Sequence, residues 1–161
     1  MKRFFALTFF ALHFALHTSG QEDSSNMFIT KGEWLVGGTM SFLASTGSSA
    51  FSLEPGAGYF IGEKFATGLA LSYRSEESIN IFSFLPFVRY YFSQKRLAPY
   101  AGFGVGVASE STVFFTPSIG IDYFISKNVA FETNLAYFQI LQTNGSQSAV
   151  GLTAGLQFFL R

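Results

Sequence analysis

The sequence predicts an all-β fold, an eight-stranded antiparallel up-and-down transmembrane β-barrel, and three observations support this. After residue 31, apolar residues alternate with small or polar residues along almost the whole chain, which is the period of a β-strand. The alternation falls into eight segments, each at least as long as the roughly 9 to 11 residues that a tilted strand needs to cross a bilayer. Charged residues make up only 12%, about half the usual share, and aromatic residues 19%. We therefore expect one domain whose surface faces lipid.

The first strand shows the pattern clearly. Trp34, Val36 and Met40 fall on one face, whereas Gly37 and Thr39 fall on the other. The last strand keeps the same alternation to the C-terminus. The predicted strands cover residues 33–42, 51–61, 66–74, 80–92, 98–108, 113–125, 129–141 and 150–160.

The second face of these strands is small rather than charged. In the fifth strand Gly102, Gly104 and Gly106 alternate with large apolar residues. Three glycines would weaken a strand whose second face met water, but they suit the crowded interior of a small barrel. We therefore place the small face in the lumen.

The connections should differ between the two ends of the barrel. An even number of strands brings both termini to one side, which we expect to be the periplasm, with short turns near residues 62–65, 93–96 and 126–128. The other connections, near residues 43–49, 75–79, 109–112 and 142–148, are mostly longer and rich in Ser, Thr and Gln. Short turns inside and longer loops outside are the rule for such barrels.

The N-terminus has the three parts of a secretory signal peptide. Basic Lys2 and Arg3 precede an apolar run and then small residues up to Gly20. The run is shorter than the roughly 20 apolar residues of a membrane anchor, which favours cleavage. We predict a signal peptide over residues 1–20, a polar lead-in over 21–31 and the barrel domain over 32–161.

Composition excludes several kinds of chemistry. There is no cysteine, and both histidines, His13 and His17, lie in the predicted signal peptide. A thiolate site, a Ser-His triad or a histidine metal site therefore cannot form in the mature chain. The sequence has no stripe of basic residues, so it gives no indication of nucleic-acid binding. We expect no catalytic residues, no cofactor and no metal.

The alternation of faces along each strand places several charged residues in the lumen. It also places several aromatic residues on the outer face near one membrane edge. Charges inside a barrel need partners or water, so we expect a network among the lumenal ones, which holds strands together as a fixed plug. The predicted lumenal charge network is Glu33, Glu54, Arg74, Arg89, Asp122 and Glu132. The predicted aromatic girdle, at the apolar-to-polar boundary near the periplasm, is Trp34, Tyr59, Tyr90, Tyr123 and Phe158.

The prolines conflict with a closed barrel. A strand in a closed barrel has no free edge, and proline donates no hydrogen bond to its neighbour. We expect bulges or weak pairing at Pro55, Pro86, Pro99 and Pro117.

The chain resembles the bacterial outer-membrane protein β-barrel domain family, of the small eight-stranded type typified by OmpX and the membrane domain of OmpA. The segments that carry the resemblance cover residues 55–61, 86–92, 99–104 and 119–130. It implies an outer-membrane location, contact with lipid and lipopolysaccharide, insertion by the barrel assembly machinery, and a monomer. Family members often end on an aromatic residue, whereas this chain ends Leu160-Arg161.

Two functions remain open on the sequence. The first is a structural or surface-interaction role without enzyme activity. The second is a narrow channel, or small-ligand transport through the lumen. A soluble lipocalin-like barrel is disfavoured, because its outer face would have to be polar, whereas Phe82, Phe84 and Tyr90 share the outer face here.

Overall fold

The computed structural model describes residues 27–45, 48–76, 79–109, 112–142 and 145–161. The predicted signal peptide and most of the lead-in lie outside these residues. The strands are β1 (Trp34–Ser45), β2 (Ser48–Phe60), β3 (Phe65–Glu76), β4 (Ile79–Tyr91), β5 (Leu97–Ala108), β6 (Thr112–Ser126), β7 (Val129–Gln142) and β8 (Gly145–Leu160). Within the described residues, no helix is long and apolar enough to cross a membrane.

The eight strands form one closed barrel in chain order, and each strand pairs antiparallel with its neighbours. This confirms the predicted fold class. The start of β1 and the end of β8 lie at the same end as the turns 61–64, 92–96 and 127–128, and we call it the terminal end. The opposite end, where β1 joins β2, β3 joins β4, β5 joins β6 and β7 joins β8, is the distal end.

The two faces of the wall follow the alternation in the sequence. Large apolar side chains such as Leu152 and Val150, which are 71% and 68% exposed, cover the outside on every strand. Glycine, alanine and small polar residues cover most of the inside, because an eight-stranded barrel leaves room for little more.

The prediction of longer connections at the distal end is wrong. Strands continue through most of the residues assigned to those loops, so that β1 ends at Ser45 and β2 begins at Ser48. Likewise β7 ends at Gln142 and β8 begins at Gly145. The physical reason is that backbone pairing continues through these residues whatever their side chains, whereas Ser, Thr and Gln are also common in loops.

Three of the four prolines weaken strand pairing as expected. Between β2 and β3 the paired ladder skips Glu54 and Pro55, and it resumes at Gly56 without a change of register. Equivalent gaps occur at Pro86 between β4 and β5 and at Pro117 between β6 and β7. Pro99 keeps its place in the ladder opposite Ile121. The sole register shift recorded for the described strands lies between Phe124 and Ser126, away from the prolines.

Strands β1 and β8 close the barrel over a short pairing. Their pairs run from Trp34 with Leu160 to Met40 with Ala154. At this seam the backbones approach closely, since a Cβ added to Gly155 would collide with the carbonyl oxygen of Gly38. Closure here requires glycine at position 155.

Candidate functional site

An ion pair lies inside the terminal half of the barrel. Arg89 of β4 reaches across the lumen to Glu132 of β7, with 3.1 Å between Nη2 and Oε1. Glu132 also accepts hydrogen bonds from the Tyr100 hydroxyl and the Gln157 amide. The Arg89 guanidinium lies 4.6 Å from the centre of the Tyr100 ring, a cation–π contact. This fully buried carboxylate therefore has a partner for both oxygens.

A second carboxylate faces Glu132 directly. Asp122 of β6 is opposite Glu132 in the ladder and is also fully buried. Like charges in directly opposed positions repel. The Tyr91 hydroxyl donates to Asp122 Oδ2 at 2.8 Å, which offsets part of the cost of burying this group. Its other oxygen, Oδ1, has no partner among the described residues.

Glu54 lies at the edge of the same cluster. Its side chain lines a cavity of about 60 Å³ in the lumen, and Arg89 and Glu132 line it too. The position just before Pro55, in the gap of the β2–β3 ladder, brings Glu54 to this cavity. The structure thus brings together four of the predicted network residues: Glu54, Arg89, Asp122 and Glu132.

The other two members of the predicted network lie elsewhere. Arg74 pairs with Ile81 near the distal end, whereas Arg89 pairs with Ala66. At roughly 3.3 Å per residue, the eight residues from 81 to 89 separate the two arginines by about 26 Å. Arg74 is therefore outside the cluster.

Glu33 is buried at the terminal end, just before β1. It accepts hydrogen bonds from the Thr30 backbone and hydroxyl, and it pairs with Arg161, whose Nε lies 2.6 Å from Glu33 Oε1. This carboxylate joins the segment before β1 to Arg161, just after β8, rather than joining Arg89.

The five residues of the predicted girdle are exposed on the outer face near the terminal end. Trp34 and Tyr59 are cross-strand neighbours, with ring centres 5.1 Å apart. Tyr123 receives the Arg96 guanidinium 5.3 Å from its ring centre. The placement of Tyr90 and Phe158 follows the same parity.

The terminal end of the lumen is filled by aromatic side chains that the sequence reasoning did not single out. We call this set the aromatic plug; its rings form a continuous row and are almost fully buried: Tyr100, Tyr91, Phe60, Phe159 and Phe124. A signal for it was present in the sequence. Four strands end in an aromatic pair, of which one ring faces outward and the next faces inward, as in Tyr59-Phe60.

The end of the N-terminal lead-in packs beneath the plug. Ile29 is completely buried, and the Phe28 ring lies 4.9 Å from that of Phe124. Buried Gln94, in the turn between β4 and β5, donates from Nε2 to the carbonyls of Ile29 at 2.8 Å and Glu63 at 2.9 Å. The apolar pair Phe28-Ile29 therefore covers the barrel mouth.

No group of three or more His, Cys, Asp or Glu side chains is placed to hold a metal ion in the part of the chain that the structure describes. The cluster offers one guanidinium, three carboxylates and two phenols, arranged mainly as partners of one another. Its hydrogen bonds and ion pair connect β4, β5, β6, β7 and β8 across the lumen.

Comparison with known proteins gives a likeness in structure alone. No protein-family model matches the chain, and no curated protein matches it in sequence. The crystal structure of Neisserial surface protein A aligns with 78% of this chain and 94% of its own, with a TM-score of 0.60 and 18% identity. OprG of Pseudomonas aeruginosa aligns with 84% of this chain and all of its own, with a TM-score of 0.53 and 12% identity.

A de novo designed transmembrane β-barrel aligns about as well. It covers 81% of this chain and 98% of its own, with a TM-score of 0.54 and 19% identity. A designed barrel and natural outer-membrane proteins share this fold, so the likeness carries no particular activity. The chain thus has the fold of the small, eight-stranded transmembrane β-barrels of the bacterial outer membrane type.

Proposed function

We propose that this protein is a bacterial outer-membrane barrel with a structural role. Its lumen is closed, and it is neither an enzyme nor a pore. The observation that carries the proposal is the combination of an apolar outer face on every strand with a lumen filled at one end by the aromatic plug. The first feature calls for lipid around the barrel. The second opposes passage through it.

The outer face favours a membrane location. Soluble monomers rarely expose contiguous apolar patches larger than a few hundred Å². Here exposed side chains such as Phe82, Val105, Ile119 and Leu152 continue around the whole wall. In lipid, closure into a barrel also gives nearly every backbone amide a partner, which an open sheet could not do.

The lumen favours a sealed barrel over the alternative of a narrow channel. An ion entering from the distal end would meet the Arg89–Glu132 pair and then the aromatic plug, beneath which lies Ile29. Each plug ring lies 4.7 to 6.0 Å from the next between centres and is at most 1% exposed, which opposes a water-filled path through this end of the lumen.

The distal connections favour a structural role over surface interaction. Two residues separate the strands at three of these connections, and three residues at the fourth. Such short connections offer little surface to an adhesion partner. We propose a monomer that contacts lipid and lipopolysaccharide, is inserted by the barrel assembly machinery, and has both termini in the periplasm.

The test combines fractionation with conductance. We expect the protein in outer-membrane fractions, where its electrophoretic mobility should differ between boiled and unboiled samples. In planar bilayers the wild-type protein should give no conductance steps. A matched variant with Phe60→Ala and Phe159→Ala, shown by the same mobility shift to be folded, should leak ions.

Two results would contradict the proposal. Solubility without detergent would remove the membrane location. Conductance steps from the wild-type protein as large as those of the plug variant would favour the channel instead.

A further inference from the structure

Three exposed cations lie on neighbouring turns of the terminal end. Lys95 and Arg96 belong to the turn between β4 and β5, and Lys127 belongs to the turn between β6 and β7. No strand separates these turns, because β5 and β6 pair directly, with Leu97 opposite Tyr123. We call the three cations the basic rim.

Positive charge at this end is not balanced by carboxylates. Outside the strands, the described residues of the terminal end carry six basic and two acidic side chains: Lys31, Lys64, Lys95, Arg96, Lys127 and Arg161 against Glu33 and Glu63. Glu33 is occupied by Arg161, and Glu63 follows the barrel around to the turn between β2 and β3, with Lys64 beside it. Among the described residues, no ion pair includes a member of the basic rim. The rim therefore has positive charge to offer to a partner outside the protein.

The Arg96 guanidinium is held at the outer face of the barrel. Its Nε donates to the Phe124 carbonyl at 3.1 Å, and the guanidinium lies 5.3 Å from the centre of the Tyr123 ring. Tyr123 belongs to the aromatic girdle and is 45% exposed on the outer face. A guanidinium has five N–H donors in a planar fork, and the carbonyl takes one of them. The fork suits a phosphate group on the lipid side of the wall.

The apolar wall extends up to these cations. Leu97, next to Arg96, and Ile125, two residues before Lys127, are 54% and 59% exposed on the outer face. Phe92, at the start of the turn that carries Arg96, is exposed to the same degree as Ile125. Cations directly beyond a belt of apolar and aromatic side chains lie at the boundary between acyl chains and headgroups.

Both turns of the basic rim are fixed by hydrogen bonds. Ser93 Oγ accepts from the Lys95 backbone amide at 3.2 Å. In the other turn, the Asn128 side chain donates to the Phe159 carbonyl at 2.7 Å, and the Asn128 carbonyl accepts from the Phe159 amide at 2.8 Å. A partner of the rim therefore meets turns that are already ordered, which lowers the entropy cost of binding.

We propose that the basic rim binds the phosphate groups of anionic phospholipids in the leaflet that surrounds the terminal end. This inference rests on the membrane location of the proposed function, to which it adds the lipid class and the place of contact. The Arg96 fork binds one phosphate group. Lys95 and Lys127 attract the neighbouring headgroups, and since a leaflet is a continuous layer of these, the three side chains need not meet at one point.

The position of Arg96 disfavours an acidic soluble protein as the partner. A protein that docks on the barrel mouth would approach along the barrel axis. The guanidinium instead lies over Tyr123, an outward ring of the girdle, on the side that faces lipid.

The experiment measures which lipid surrounds the rim. A reporter protein with Trp34→Phe and Leu97→Trp carries its single tryptophan on the outer face beside Arg96. It is inserted into vesicles of equal parts phosphatidylcholine and phosphatidylglycerol, with bromine on the acyl chains of one lipid or of the other, so that the headgroup composition never changes.

Bromine on phosphatidylglycerol should quench the reporter more strongly than bromine on phosphatidylcholine. We expect the anionic lipid to be preferred by about fivefold, which is the effect of one basic side chain near an anionic surface. In about 1 M salt the Debye length falls to about 3 Å, and the preference should largely disappear.

Variants of the reporter protein locate the surface. Lys95→Gln, Arg96→Gln and Lys127→Gln together should remove the preference. Lys64→Gln, which makes the same change of charge on the turn between β2 and β3, should preserve it. Should the triple variant not fold, the double variant Lys95→Gln with Lys127→Gln should at least halve the preference.

The proposal is overturned if the two brominated lipids quench equally at low salt, if the triple variant keeps the preference, or if Lys64→Gln also loses it. Inorganic phosphate at constant ionic strength should not displace the lipid; if it does, the rim is a site for a free anion instead. Failure of both brominated lipids to quench would remove the membrane location of the proposed function and this surface with it. Equal quenching by the two lipids refutes the lipid surface alone.

Discussion

Replacing Arg89 by methionine tests whether the lumenal ion pair braces the barrel. The change keeps an unbranched apolar stem but removes the 3.1 Å contact with Glu132 and the cation–π contact with the Tyr100 ring. Glu132 is then left as a buried charge whose hydrogen-bond donors are neutral and whose charged neighbours are the carboxylates of Asp122 and Glu54.

The size of the effect follows from this burial. Removing one partner of a buried ion pair costs about 3 to 5 kcal/mol, because the remaining charge loses its compensation. At about 2 to 4 °C per kcal/mol for chains of this size class, the midpoint of unfolding should fall by about 10 °C. Circular dichroism of the detergent-folded protein measures it, and the mobility shift in electrophoresis checks folding.

A double variant separates the charge effect from packing. Arg89→Met combined with Glu132→Gln removes the unpaired charge of Glu132, so it should recover at least half of the lost stability. In planar bilayers both variants should remain closed, because the aromatic plug lies beneath the pair. Equal midpoints for wild type and Arg89→Met would refute the bracing role. The bracing role would also be refuted if the stability loss of the double variant equalled the sum of the losses of the two single variants.

Three further variants, with one control, probe the N-terminal segment, the seam and the hydrogen bond to Asp122. Ile29→Asp should release the N-terminal segment from the barrel mouth, because the carboxylate cannot be buried there, and trypsin should then remove the segment faster while the barrel stays folded. Gly155→Ala should prevent folding, because its Cβ would collide with the backbone of β1, whereas Gly151→Ala should fold, as its Cβ would meet only a ring edge at 3.1 Å. Tyr91→Phe should lower the unfolding free energy by about 1 to 3 kcal/mol, since Asp122 loses its 2.8 Å donor. The first prediction is contradicted if Ile29→Asp is proteolysed at the wild-type rate, and the second if Gly155→Ala folds normally. The third is contradicted if Tyr91→Phe unfolds at the wild-type midpoint.

Strand number, direction and facing could be predicted from the sequence. A period of two assigns every residue to one face, and a shift by one residue would turn the apolar set inward, so the pattern tolerates no other assignment. Trp34, Tyr59 and Tyr90 therefore lie outside as expected. The weak pairing at Pro55 also follows locally, since proline lacks the amide hydrogen.

The ends of the strands could not be predicted in the same way. Residues 43–45 and 145–149 belong to strands, although their composition is that of a loop. A strand that leaves the bilayer no longer needs an apolar face, so its pattern fades before its hydrogen bonding does.

The sequence by itself therefore determined a barrel with an apolar outer face and a small-residue interior, because alternation is a local property that assigns each strand's two faces separately. Only the tertiary structure decided which lumenal charges meet. Arg89 and Glu132 lie on β4 and β7, and the register of the closed barrel brings them together across the lumen while it keeps Arg74 apart. It also decided that Glu33 bonds to Arg161 and that Ile29 fills the mouth of the barrel, since both contacts join residues far apart in sequence that meet only when the barrel closes.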